Sequence, residues 1–274
     1  MTIPMHELAF DAAGSDDLVE VPFNGVKLFP WRGDDLIGRH VIGSRSYEPH
    51  VLPRFLDSLS AGASVLDVGA NIGTFSLTAA KAVGARGTVI SVEPIAKNLR
   101  SLLAGARANG FGHMTILPVA ASGHRHVVSM LRSADSSNGI VDEHIAEETA
   151  DSRVEAVRLD EALAHLTRID VVKIDIEGHE PIAWPGMCAL ISRHRPMVFS
   201  EMNPLAIRNH SRLDAPVYLD MLFAHTDAIY VLHLGGRIVR CTSTQEIMRE
   251  WVEVNRRHGS NGEIFVDLMF QAIR

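Results

Sequence analysis

The run VLDVGANIG, residues 65–73, restricts this chain to a strand that enters a helix through a tight glycine turn. Apolar residues flank Asp67, two glycines punctuate the turn, and an apolar-periodic segment from Phe75 to Val83 follows. The same cadence repeats downstream. SVLDVG, GTVISVE, MTILPVA, DVVKIDI and PMVFSEM are short apolar runs of the kind that a parallel sheet buries on both faces. Helical stretches separate them. After Glu93, residues Leu99, Leu102, Leu103 and Ala106 fall at i, i+3, i+4 and i+7, and Asn109-Gly110 supplies a stop. Strand and helix alternating at this length define an α/β layer fold with right-handed crossovers.

The ends of the chain depart from that cadence. Residues 18–42 read as a small β unit: LVEVPF, a turn at Asn24-Gly25, VKLFPW, the polar RGDD, then LIGRHVI. Asn-Gly between β-rich runs is a hairpin signal, because both residues tolerate positive φ. SYEPHVLPRFLDSLSAGA then gives a short helix. Residues 1–50 are accordingly read as an N-terminal hairpin-and-helix appendage and residues 51–274 as the main domain. The alternation breaks between about 121 and 168, where HRHVVSMLR and RVEAVRL are candidates for an extra hairpin. The acidic SADSSNGIVDEHIAEETADS between them reads as a solvated loop. After residue 205 come a helix, the strand AIYVLHL ending at Gly235-Gly236, and a last strand, EIFVDLMFQA.

Charge and composition narrow the function. A formal net charge of −7 argues against a general nucleic-acid binder, which needs a basic face to replace condensed counterions, and leaves room for a local basic groove alone. The two cysteines, Cys188 and Cys241, are far apart and suit a reducing compartment. MTIPMHELAFDAAGSDDL shows no basic stretch followed by an apolar one, and no uncharged apolar run is long enough to span a bilayer. The expectation is a cytoplasmic protein with neither nucleic acid nor membrane as partner.

The glycine turn indicates the ligand. A dinucleotide fingerprint places a second glycine where its backbone touches the pyrophosphate. In GANIGT that place is held by Asn71, so a diphosphate would meet a side chain, which counts against a nicotinamide-dependent oxidoreductase. Two acids stand instead at strand ends: Asp67 before the turn, and Glu93 in VISVEP, followed by Pro94. An acid in Glu93's place accepts both ribose hydroxyls. The implied ligand is an adenosine with a positive charge and no phosphate, a description that S-adenosylmethionine meets. The cofactor-binding set is Asp67, Gly69, Asn71, Gly73, Glu93 and Pro94.

SYEP, VLDVGANIGTFSLTAA, VISVEPIAKNL, LPVAAS, VVKIDIEGHE and MVFSEMNP, in that order, resemble the FkbM family of class I S-adenosylmethionine-dependent methyltransferases, over roughly residues 40–205. The resemblance implies a Rossmann-like seven-stranded sheet, mostly parallel with an antiparallel edge. It also implies O-methylation, usually of a sugar or polyketide-type hydroxyl, and places Tyr47 and Glu48 over the cofactor pocket. Pro181 and Pro185 depart from the family pattern; Pro181 suits a first helical turn, and Pro185 is expected to kink or split the helix.

KIDIEGHE brings Asp175, Glu177, His179 and Glu180 to the end of the fourth main strand, and SEMNP brings Glu201 and Asn203 to the end of the next. Ligands of open α/β sheets lie beyond such carboxyl ends. A sulfonium needs little activation as a methyl donor, so the protein's task is to align a hydroxyl and remove its proton. Two devices serve. His179 acts as general base with Asp175 or Glu177 orienting it, or Asp175, Glu201 and Asn203 hold Mg2+ or Mn2+, which binds the hydroxyl. The residues leave both open. Helix capping is the competing role for His179 and Glu180. His124 and His126 read as an exposed pair on one strand face, and Trp184 as a packing residue or a wall of the acceptor pocket. The favoured acceptor is a small hydroxylated molecule, a sugar or glycoside ahead of a polyketide-type product. A non-catalytic S-adenosylmethionine-binding subunit is the alternative from another class.

Overall fold

Asn24 and Gly25 both take positive φ, 45° and 77°, and turn a hairpin of β1 (Val21–Phe23) against β2 (Val26–Leu28). The structure, a computed structural model, describes residues 17–34, 36–130, 141–142 and 152–273. Its contacts divide the chain into two units, residues 1–120 with 128–154, and residues 121–127 with 155–274.

In the first unit the hairpin buries Phe23 and Leu28. The LIGRHVI segment, expected as a strand, is instead α1 (Ile37–Ser44). Asp34 explains the difference: its carboxylate accepts the N–H groups of Leu36 (3.1 Å) and Gly38 (2.8 Å), satisfying donors at a helix start, while Ile37 and Val41 are buried four residues apart. α2 (Leu52–Asp57), β3 (Ser64–Val68), α3 (Thr74–Val83), β4 (Thr88–Val92), α4 (Ala96–Ala108) and β5 (Met114–Leu117) follow. β3, β4 and β5 are parallel neighbours, with Ser64 opposite Thr88 and Val89 opposite Met114. Every residue of β3 is buried, Ser64 and Asp67 included, as in a strand covered on both faces. The expected appendage joins this layer: Lys27 N–H donates to Asn109 Oδ1 (2.9 Å) and Asn109 Nδ2 to Lys27 O (2.8 Å), which ties β2 to the end of α4.

β6 (Ala120–Ala121), β7 (His126–Met130), β8 (Val141–Asp142) and β9 (Ser152–Val157) form a four-stranded sheet in the order β6-β9-β7-β8. The two segments expected to form an extra hairpin, now β7 and β9, are therefore neighbours. The acidic stretch between them lies outside the described residues except for 141–142 and 152.

The second unit continues with α5 (Leu159–Ala162), β10 (Val171–Ile174), α6 (Glu180–Ala183), a 3-10 turn at Trp184–Gly186, and α7 (Cys188–His194). Pro185 splits the helix as expected. β11 (Met197–Met202), α8 (Pro204–Ala206), a π turn at Ile207–Ser211, α9 (Ala215–Phe223), β12 (Ile229–Leu232), β13 (Ile238–Cys241), α10 (Thr244–Arg257) and β14 (Val266–Gln271) complete it. Its strands run β13-β12-β14-β11-β10, with β10 and β11 parallel and the rest antiparallel. The first unit thus carries three parallel strands and the second five, of which β13 follows the Gly235-Gly236 turn and lines the antiparallel edge beside β12. Among the described residues no helix is long and apolar enough to cross a membrane.

Candidate functional site

In the first unit, β3 runs into a turn in which Gly69, Asn71 and Gly73 take φ of 86°, 51° and 96°. Asparagine is among the few side chains that tolerate this region, which is why it can stand where a dinucleotide motif has glycine. Its own Oδ1 accepts the Ile72 N–H at 2.7 Å. The Asn71 N–H donates to Glu93 Oε2 at 2.8 Å, the Ile95 N–H to Oε1 at 2.9 Å, and Asn98 Nδ2 approaches Oε1 at 3.4 Å. Pro94 has no N–H, so Ile95 is the first main-chain donor after Glu93. Glu93 is 3% exposed, and burial pushes its carboxyl up to about 7 against the pull of these donors, with the Asp67 charge adding to the rise. Oε1 thus receives two donors and Oε2 one, so Oε2 still has a lone pair for a hydroxyl.

The other expected cofactor residues lie in the same unit. Asp67 is buried and accepts from Ser76 Oγ at 2.6 Å, and Ser76 shares a 2.7 Å bond with Ser91 Oγ, so the acid ties β3 to α3 and β4. A Cβ on Gly73 would lie 2.7 Å from Leu102 Cδ1 and 3.1 Å from Leu77, so this glycine is needed by the core behind the turn. The Tyr47 ring meets Phe75 edge to face at 6.3 Å, near the start of α3. Glu48, at φ 39°, accepts the Val51 and Leu52 N–H groups through its carbonyl and starts α2. Both are half-buried.

In the second unit the ends of β10 and β11 carry the acids. Asp175 Oδ2 pairs with Lys173 Nζ at 2.8 Å. Lys173 is 5% exposed and was not singled out from the sequence; the available signal was a lysine inside the apolar run VVKI, since a buried ammonium needs an anion. Glu180 is buried, accepts the Ile176 N–H at 2.8 Å, and has its carboxyl pushed up to about 7 by burial, with Asp175 adding. Burial raises Glu201 well above the carboxylate range, and the charges of Asp175, Glu177, Asp267 and Glu180 raise it further. Asp267, opposite Glu201 across the β11 and β14 pair, is a further acid that the sequence reading missed. His179 is 4% exposed and opens α6, its carbonyl accepting from Ile182 and Ala183. His210, also missed, donates from Nδ1 to the Glu177 carbonyl. A π turn delivers it, which a search for helical periodicity does not reveal.

The expected metal set does not fit. Among the described residues no group of three His, Cys, Asp or Glu side chains is arranged to hold a metal ion. Asp175 is paired with the Lys173 ammonium, which would repel a cation, and Asn203 Oδ1 accepts the Ala206 N–H at 3.1 Å as the cap of α8. The expectation that Asp175, Glu201 and Asn203 bind Mg2+ or Mn2+ is therefore withdrawn. Trp184 is no pocket wall either: it is 1% exposed and packs on Tyr218, His225 and Phe270. His124 and His126 stack at 4.1 Å between ring centroids.

A family model for the FkbM methyltransferase domain matches residues 67–238, well over half of the chain. Among solved structures, the chain is similar to an FkbM methyltransferase from Methylobacillus flagellatus KT, at 16% identity over 77% of this chain and 44% of that one, with a TM-score of 0.47. It is also similar to precorrin-6y C5,15-methyltransferase from Geobacter metallireducens GS-15, at 11% identity over 81% and 88% with a TM-score of 0.45. A third is an S-adenosylmethionine-dependent O-methyltransferase from Thermotoga maritima, at 11% identity over 86% and 71% with a TM-score of 0.44. The chain spans less than half the length of the first of these. No curated protein matches it.

Proposed function

This chain belongs to the FkbM methyltransferase family, and from that premise we propose that it transfers a methyl group from S-adenosylmethionine to a hydroxyl of a small molecule, a carbohydrate ahead of a polyketide-type product. The observation that carries the cofactor assignment is the glycine turn closed on Glu93. Its Asn71 N–H is taken by the Glu93 carboxylate and its Ile72 N–H by the Asn71 side chain. The donors that a diphosphate would use are thus engaged, and a carboxylate stands where it would repel phosphate. A ribose with free hydroxyls suits the same place, because Glu93 Oε2 has a lone pair to spare. Bound there, S-adenosylmethionine supplies an electrophilic methyl on a sulfonium.

On the acceptor, the reading is supported by the carboxylates at the β10 and β11 ends. Asp175 and Glu177 accept hydrogen bonds from a polyhydroxylated molecule, and Lys173 holds Asp175 in place. Nucleic acid does not suit this acidic surface, and the two cysteines, both free thiols, suit action in the cytoplasm. The test has two stages. Calorimetry is expected to show binding of S-adenosylmethionine and S-adenosylhomocysteine and none of NAD; preference for NAD removes the assignment. A mass-shift screen of hydroxylated acceptors is then expected to give a gain of one methyl on a sugar or glycoside. Cofactor binding with no methylated product from any acceptor points instead to a non-catalytic binding subunit.

A further inference from the structure

We propose that His210 is the general base that removes the acceptor's hydroxyl proton, an inference that rests on the hydroxyl-methylation reading above. The backbone builds the position. Asn203 caps α8, Ile207 is fully buried, and the chain then widens into the single π turn Ile207–Ser211. Such turns recur at functional sites because the extra residue rotates the following side chains out of helical register. Here the rotation lays the His210 ring against the turn that ends β10, where Glu177 and Gly178 take φ of 57° and 92°. A Cβ on Gly178 would lie 2.3 Å from the Ala206 carbonyl carbon, so only glycine lets the two segments touch.

The contact determines the tautomer. His210 Nδ1 lies 2.5 Å from the Glu177 carbonyl oxygen, which only accepts, so the hydrogen is on Nδ1 and the neutral ring presents its lone pair at Nε2. Among the described residues Nε2 has no hydrogen-bond partner, and the ring is half-buried. His179, by contrast, is shut into the start of α6. Glu177 lies on the turn that holds the ring, and Arg208 and Arg212 lie on its own segment, Arg208 being paired with Asp214. In the step, the hydroxyl oxygen forms its bond to the methyl carbon as the sulfur–methyl bond breaks, with that electron pair staying on sulfur. The hydroxyl proton passes to Nε2 and is later released to water.

His210→Asn is the informative variant, because the amide nitrogen keeps the bond to the Glu177 carbonyl while the base is lost. With S-adenosylmethionine and a mixture of methyl glycosides, kcat is expected to fall at least about 100-fold, the usual worth of a general base. Affinity for S-adenosylmethionine by calorimetry stays at the parent value. A variant that turns over within threefold of the parent overturns the proposal. A parent that methylates no glycoside counts against the carbohydrate reading, and the base is then judged from nitrogen NMR of ring-labelled protein, with the His210 signals assigned by the same variant. A neutral ring protonated at Nδ1 upholds it. Protonation at Nε2 overturns it.

Discussion

Glu180 offers a test of how the acidic end of β10 stores its charge. The side chain is buried, and desolvation, aided by Asp175, raises its carboxyl from 4.5 to about 7. A shift of that size corresponds to roughly 3 kcal/mol in favour of the protonated form. For an acid raised in this way, the folded state carries no penalty below pH 4.5. Stability is then lost as the pH climbs through 7, because the unfolded chain ionises freely while the folded one must hold a buried charge.

Glu180→Gln removes the titrating group and keeps an oxygen that can accept the Ile176 N–H now received by Oε1 at 2.8 Å. In cofactor-free protein the variant should exceed the parent by less than about 1 kcal/mol at pH 5 and by up to about 3 kcal/mol at pH 8.5, the latter roughly 6–12 °C in Tm for a chain of this size. Thermal unfolding at half-unit steps from pH 5 to 8.5 reads the difference. The signature is a gap that opens with pH. A constant offset, or a parent more stable at pH 8.5, refutes the claim that Glu180 is a buried acid held against its preference. Removing this charge also lowers the neighbouring Glu201 carboxyl, since Glu180 is among the charges that raise it.

Glu93→Ala should weaken S-adenosylmethionine by roughly 1.5–3 kcal/mol, the worth of hydrogen bonds to a charged group, as read by calorimetry; unchanged affinity would mean that the ribose is held elsewhere. Lys173→Met strands Asp175 and should cost about 3–5 kcal/mol in urea unfolding, with most of that recovered in the double variant Lys173→Met, Asp175→Asn. Simple addition of the two single costs would show that the pair is uncoupled. Gly178→Ala places a methyl against the Ala206 backbone at positive φ and should destabilise the fold by at least about 2 kcal/mol, so a parent-like denaturation midpoint would contradict the tight packing of the two turns.

What was legible in the sequence is what backbone geometry demands of a residue type. VLDVGANIG specifies its own turn, because Gly69, Asn71 and Gly73 sit at positive φ where few other residues settle, and the apolar strands announce their burial. Long-range choices were less legible. LIGRHVI carries enough β-branched character to pass for a strand, and the deciding group is the Asp34 carboxylate, outside the run itself. The helix α10 went unread because charged residues dominate TQEIMREWVEVNRR, and only Ile247 and Val254 mark its buried apolar side. At the site, the acidic motif was visible as composition, but composition does not say which acid is balanced. Lys173 reads as one letter of a strand until its ammonium is found on Asp175. Glu93 was assigned to a ribose, yet in the structure it also holds the Asn71 N–H and so shapes the turn that the ribose would approach. On the ribose reading, one carboxylate couples ligand affinity to turn geometry. Its rise to about 7 implies that this coupling weakens as the pH falls below neutrality, because protonation converts one of its acceptor sites into a donor. The same reasoning accounts for His210: its distance from Glu177 in sequence hides it, and a main-chain carbonyl, which any residue type could have supplied, selects its tautomer.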